Sequence, residues 1–123
     1  MKSTIAIFCV ACLFFASACS SSYSREDLYG TWNGASAEEE GTPLAIDPSE
    51  LQFTFDEEGY TYQGTLNYQE AGTFQLKAPY LYTTDTLNQA TTEKTVEIVS
   101  FNSDSLQLRM MQNGQERVLK LVR

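Results

Sequence analysis

Histidine is missing from this chain of 123 residues, and cations are scarce, with 8 Lys+Arg against 16 Asp+Glu. Without imidazole there is no Ser-His or Cys-His nucleophile pair and no His-based metal site. The acidic balance repels phosphate backbones, which excludes nucleic acid as an expected partner, and it repels anionic lipid headgroups too. Cysteine is confined to the start of the chain, where Cys9, Cys12 and Cys19 are the 3 present. A long hydrophobic run is also lacking. The apolar stretch from Ile5 to Phe15 would rise only about 16 Å as a helix, well short of a bilayer core of about 30 Å. Helical periodicity is absent apart from one expected turn at Ala35 to Glu40.

What is present begins with an address. Met1 and Lys2 give a positive start, the apolar run follows, and "FFASACSSS" from Phe14 to Ser22 closes the segment with small residues around one cysteine. A run of this length reads as the apolar region of a secretory signal. Ala16-Ser17-Ala18-Cys19 resembles a bacterial lipobox, with Ala16 where the usual residue is Leu. The resemblance implies diacylation of the Cys19 sulfur, cleavage after Ala18 and acylation of the new amine. Cys12, after Val10-Ala11, has too little apolar sequence before it to compete. Plain secretion through Ala16-Ser17-Ala18 is the alternative. One acyl chain holds a protein only marginally, whereas burying two or three at about 0.8 kcal/mol per CH₂ anchors it stably. Ser20 in place of Asp resembles the Gram-negative signal for the outer membrane, facing either the periplasm or the exterior.

The expected layout is therefore a signal peptide over 1–18, a lipidated polar tether over 19–27 and one domain over 28–123. Removing Lys2 leaves 7 Lys+Arg against 16 Asp+Glu, a net charge of −9 on the mature part. Cys19 then stands alone, so no internal disulfide can form and stability must come from a core.

From Leu51 onward the sequence alternates and is cut by turn residues at regular intervals. "LQFTF" puts Leu51, Phe53 and Phe55 on one face, and "DEEG" turns the chain at Gly59. "YTYQGTLN" sets Tyr60, Tyr62 and Leu66 on one side, with Gly64 marking a bulge or a close approach. "GTFQL" carries Phe74 and Leu76 inward until Pro79 ends it, while "YLYTT" fits either parity. After a polar loop at Asp85 to Thr92, Val96 and Ile98, then Leu106, Leu108 and Met110, then Leu119 and Leu121 face inward, with a hairpin at Asn113-Gly114. With a strand around Thr31-Trp32 the count reaches eight. One apolar face per strand suits antiparallel pairing, and closing the sheet removes its edges. The expected fold is all-β, an eight-stranded antiparallel up-and-down barrel.

Four stretches carry a resemblance for nearly all of Leu28 to Arg123: "LYGTWNG", "FTFDEEGYTYQGTL", "GTFQLKAPYLYTT" and "VEIVSFNSDSLQLRM". In that order they resemble the lipocalin-like domains of small bacterial lipoproteins, many from Bacteroidota. The resemblance implies that Trp32 plugs the closed end of the barrel and that classical relatives bind small apolar molecules. About 96 residues over eight strands leave roughly 12 per strand and loop, so a core filled by side chains is the competing expectation.

Trp32, Phe53, Phe55, Tyr60, Tyr62 and Phe74 are the candidate pocket residues. Their simplest role is barrel core, and for Trp32 a packing anchor. The functional alternative is an aromatic pocket for a lipid, sterol-like or glycan ligand, favoured by Tyr68, Tyr80 and Tyr82 on the same hairpins, since a buried phenol needs a partner. Glu38, Glu39 and Glu40 lie in what reads as the longest loop, Asn33 to Ser49, expected as a solvated or partner-facing acidic patch and as a lid over the open end. Neither they nor Asp56 to Gly59 have the spacing of a calcium loop. No two acids are expected together on an inward face, so neither enzyme chemistry, metal nor cofactor is expected. Two functions remain in contention: a membrane-anchored binding module for a small apolar or amphipathic ligand, or a protein-interaction module with a filled core.

Overall fold

A computed structural model describes residues 23–88 and 92–123; the signal segment and Cys19 lie outside the described residues. Nine strands follow in chain order: β1 (Gly30–Glu39), β2 (Thr42–Pro43), β3 (Gln52–Phe55), β4 (Tyr60–Gln63), β5 (Gln69–Lys77), β6 (Tyr80–Asp85), β7 (Glu93–Phe101), β8 (Ser105–Gln112) and β9 (Gln115–Val122). From β3 to β9 each strand pairs antiparallel with the next, and β9 returns to β1. Asn33 is the joint, because it pairs with Gln52 of β3 on one edge and Val122 of β9 on the other. Setting aside β2, a two-residue fold-back against Glu38 and Glu39, the sheet is a closed eight-stranded antiparallel barrel.

Closure also decides the parity that the sequence left open. Leu81 pairs with Leu76 of β5 and Val96 of β7, so Leu81, Thr83 and Asp85 are buried while Tyr80 and Tyr82 face outward. The expected inward residues of β3, β7, β8 and β9 point as their alternation requires.

Three expectations are corrected. The loop from Asn33 to Ser49, with its turn at Ala35 to Glu40, is strand as far as Glu39. Gly-Ala-Ser-Ala carries almost no apolar signal, and the backbone groups are claimed by β9 through a bulge between Gly34 and Ser36. The true loop, from Glu40 to Leu51, folds down beside β1: Leu44 N–H donates to Ala37 O at 2.9 Å and Gly34 N–H to Leu51 O at 2.8 Å. A Cβ on Gly34 would collide with the Pro48 carbonyl, so glycine is what lets the loop lie there. Leu66, expected inward, is 97% exposed, because the strand stops at Gln63 and Gly64 N–H closes a turn onto Tyr68 O at 2.8 Å. Asp85 ends β6 as a buried residue and does not open the following loop.

One end of the barrel is solid. Trp32 has 0% exposure and its Nε1–H donates to Leu28 O at 2.9 Å. The Arg123 guanidinium lies 4.1 Å from the centre of the indole and donates to the carbonyls of Tyr29 and Ser103, both at 2.8 Å. Beneath Trp32 come Phe55, Leu106 and Leu121, each fully buried and contributing about 1.5–3 kcal/mol by leaving water. The described part of the expected tether, Tyr23 to Asp27, rests on this same end. Tyr23 packs against Phe101 at 5.1 Å, and Arg25 lies 3.8 Å over Phe74 while donating to its carbonyl at 2.6 Å.

Candidate functional site

At the opposite end the barrel is hollow. There the strands meet at the β4–β5, β6–β7 and β8–β9 connections, and a cavity of about 350 Å³ runs into the barrel interior. One wall is aromatic. The cross-strand pair Phe53 and Tyr62 sits at 4.5 Å, and Tyr62 meets Tyr68 edge-on at 6.1 Å. Gly64 makes this possible, since a Cβ there would come within 3.2 Å of the Tyr62 ring. The close approach expected at Gly64 is thus a ring laid against bare backbone. Leu81, Val96, Leu108 and Leu119 supply the aliphatic part of the lining.

Polar groups gather toward the mouth around Glu70, which is only 7% exposed. Its Oε1 accepts from the Tyr60 hydroxyl, and its Oε2 accepts from the Tyr68 hydroxyl at 2.9 Å and from Lys94 Nζ at 3.2 Å. A carboxylate is costly to bury alone, and three donors on two oxygens compensate this one. On the next part of the rim, Arg117 donates from Nε to Glu39 at 2.7 Å and from Nη1 to Gln112 at 2.9 Å. Glu39 and Glu40 are therefore not a free acidic patch: the first holds Arg117 and the second accepts Glu116 N–H at 2.7 Å. Asp56 to Gly59 is the hairpin turn expected, with Asp56 Oδ1 capping Glu58 and Gly59.

Burial raises the tyrosine ionisations here first, and the Glu70 carboxylate adds to the effect. Desolvation, then the hydrogen bond and charge of Glu70, push Tyr68 from 10.0 up to about 12. Tyr60 is raised further by the same causes, and Tyr62 is raised by burial and then by Glu70. All three are neutral at physiological pH, and Tyr60 and Tyr68 donate to Glu70.

Of the six candidate residues, the cavity brings together Phe53, Tyr60 and Tyr62. Trp32, Phe55 and Phe74 are not among its lining residues. Trp32 is the plug; Phe55 stacks under Phe53 at 5.7 Å and meets Phe74 edge-on at 5.1 Å, making a floor. The Glu40 to Leu51 loop, expected as a lid, lies beside β1 and is not among the residues lining the cavity. Glu70, Lys94, Gln112 and Arg117 went unnoticed in the sequence. Glu70 shares the parity of Phe74, but the expected strand began at Gly72, two residues too late. Two acids are buried on the inner face, Glu70 and Asp85, where no two had been expected together. Asp85 spends its oxygens on Leu87 N–H, Asn88 N–H and Asn88 Nδ2, at 2.9, 3.2 and 2.8 Å. Glu70 is thus the sole acid lining the cavity among the described residues, and a two-carboxylate mechanism has no second member there.

A small antiparallel barrel, plugged at one end and hollow at the other, is the architecture of a lipocalin-like protein. The family model described as a lipocalin-like domain matches residues 28–108, and the chain belongs to that family. A lipocalin-like protein from Bacteroides uniformis superposes with a TM-score of 0.57 at 15% identity, over 76% of this chain and 97% of that one. A protein from Bacteroides eggerthii gives a TM-score of 0.51 at 15% identity, over 76% and 98%. No curated protein matches the chain.

The Glu70 cluster makes a pH prediction. Folded Tyr68 keeps its proton above pH 10, where the unfolded chain loses it, so stability falls as pH rises from 10.0 through about 12. Ultraviolet difference titration should show tyrosines ionising late, one fewer in Tyr68→Phe, and moved down toward 10.0 in Glu70→Gln. A wild-type Tyr68 ionising at its ordinary 10.0 would contradict the cluster.

Proposed function

We propose that the mature protein is a lipid-anchored, non-enzymatic binding module that takes one small amphipathic molecule into its cavity. The observation that carries this reading is the division of the lining: rings and aliphatic side chains inside, hydrogen-bonding and charged groups at the mouth. A volume of about 350 Å³ is at the small end for ligand pockets, which run from about 300 to 1,000 Å³. The anchor is Cys19, with the outer membrane as destination. Tyr23 lies at the plugged end, and four residues of chain reach at most about 14 Å. Acylation at Cys19 therefore ties the plugged end to the bilayer and turns the mouth toward the aqueous side.

A second reading has its own support. Leu66, Leu87 and Met111 are exposed on connections and a strand end around the mouth. Such a rim suits a protein partner, in line with an accessory or inhibitory module.

Native mass spectrometry of the purified protein separates the two. A retained small molecule is expected, and Met110→Trp, which fills the cavity from a half-buried position, should release it with the circular dichroism spectrum unchanged. A wild-type protein with nothing retained and no small molecule accepted would move the assignment to the interaction module. For the anchor, palmitate labelling and globomycin-sensitive processing are expected and should vanish in Cys19→Ser. Labelling that persists in that variant would refute lipidation at this residue.

A further inference from the structure

We infer that the head of the bound molecule is an anion, seated by Lys94 and Arg117 at the cavity mouth. This rests on the binding reading above and names the class of ligand. The observation is a local balance of charge in an acidic chain. Acids outnumber cations in the chain by 16 to 8, yet at the mouth Lys94 and Arg117 stand against Glu70 and Glu39, two of each sign, and it is the cations that keep unused donors.

Spare hydrogen-bonding capacity is distributed the same way. Glu70 already accepts from Tyr60, Tyr68 and Lys94. The ammonium of Lys94 gives one of its three N–H donors to Glu70 and the side chain is 55% exposed, which leaves the other two without a protein acceptor among the described residues. Arg117 uses Nε on Glu39 and Nη1 on Gln112, and its Nη2 meets no acceptor among the described residues. Lys94 on β7 and Arg117 on β9 flank Gln112 on β8, so three neighbouring strands present N–H donors at the mouth. Across the barrel stands the wall of Phe53, Tyr62 and Tyr68. A flat apolar body with a carboxylate or sulfonate at one end matches both sides.

A cationic ligand fits less well. The aromatic wall and the net charge of −8 would attract one, but its head would meet two cations and two carboxylates, Glu70 and Glu39, already paired with them. Remote surface charge is screened beyond about 8–10 Å in physiological salt, so the groups in contact decide the sign.

Two fluorescent probes test this: anilinonaphthalene sulfonate, and N-phenylnaphthylamine, the same rings without the sulfonate. Titration of the purified full chain should show tighter binding of the anionic probe. Lys94→Gln and Arg117→Gln should each weaken it about tenfold, the scale of one hydrogen bond to a charged group, and leave the neutral probe unchanged. Lys120→Gln, the same loss of charge on the outer face of β9, should alter neither. Equal affinity for both probes, or variants that weaken both alike, would overturn the anion seat while leaving the cavity reading intact. Failure of both probes to bind would remove the cavity reading and the anion seat with it.

Discussion

The Arg123 guanidinium laid over Trp32 is the contact on which the asymmetry of this barrel depends. It joins the last residue of the chain to the first strand, and its hydrogen bonds to the carbonyls of Tyr29 and Ser103 tie in the neighbouring turns. An indole with 0% exposure and a satisfied N–H fills one end, and the cavity lies at the other. Phe55 and Phe74 extend the solid half to mid-barrel, and there the packing stops.

The hollow half is organised by charge. A barrel interior is a poor place for a carboxylate, and Glu70 is tolerated because two phenols and one ammonium converge on it. The same contacts hold Tyr60, Tyr68 and Lys94 in place. Glu39 does the like for Arg117. Acids in this site position cations and hydroxyls, an arrangement suited to recognition more than to proton transfer.

Much of the fold was legible because period-two alternation names the buried face wherever the inward residues are large. Phe53 and Phe55, Leu106 and Leu108, Leu119 and Leu121 all obey it. It failed over Asn33 to Glu39, where glycine, alanine and serine leave nothing to alternate and the strand is held by its partner β9. It was silent at Tyr80 to Thr84, where both faces are acceptable and only the pairing of Leu81 with Val96 decides. The site was half legible. Its aromatic wall came from the same alternation, but Glu70, Lys94 and Arg117 are charged residues at inward positions. A reading that buries apolar residues passes over them: Glu70 and Lys94 are held by each other, and Arg117 by Glu39.

The central claim is that the interior has two halves, one packed and one able to admit a small molecule. Methyl NMR of the protein labelled at Leu, Val and Met, titrated with N-phenylnaphthylamine, tests it most directly. Shifts should appear at Val96, Leu108, Met110 and Leu119, which line the cavity, and not at Leu28, Leu106 or Leu121, which lie in the packed half. Shifts at Leu28 and Leu121, or only at exposed Leu66 and Met111, would contradict the account.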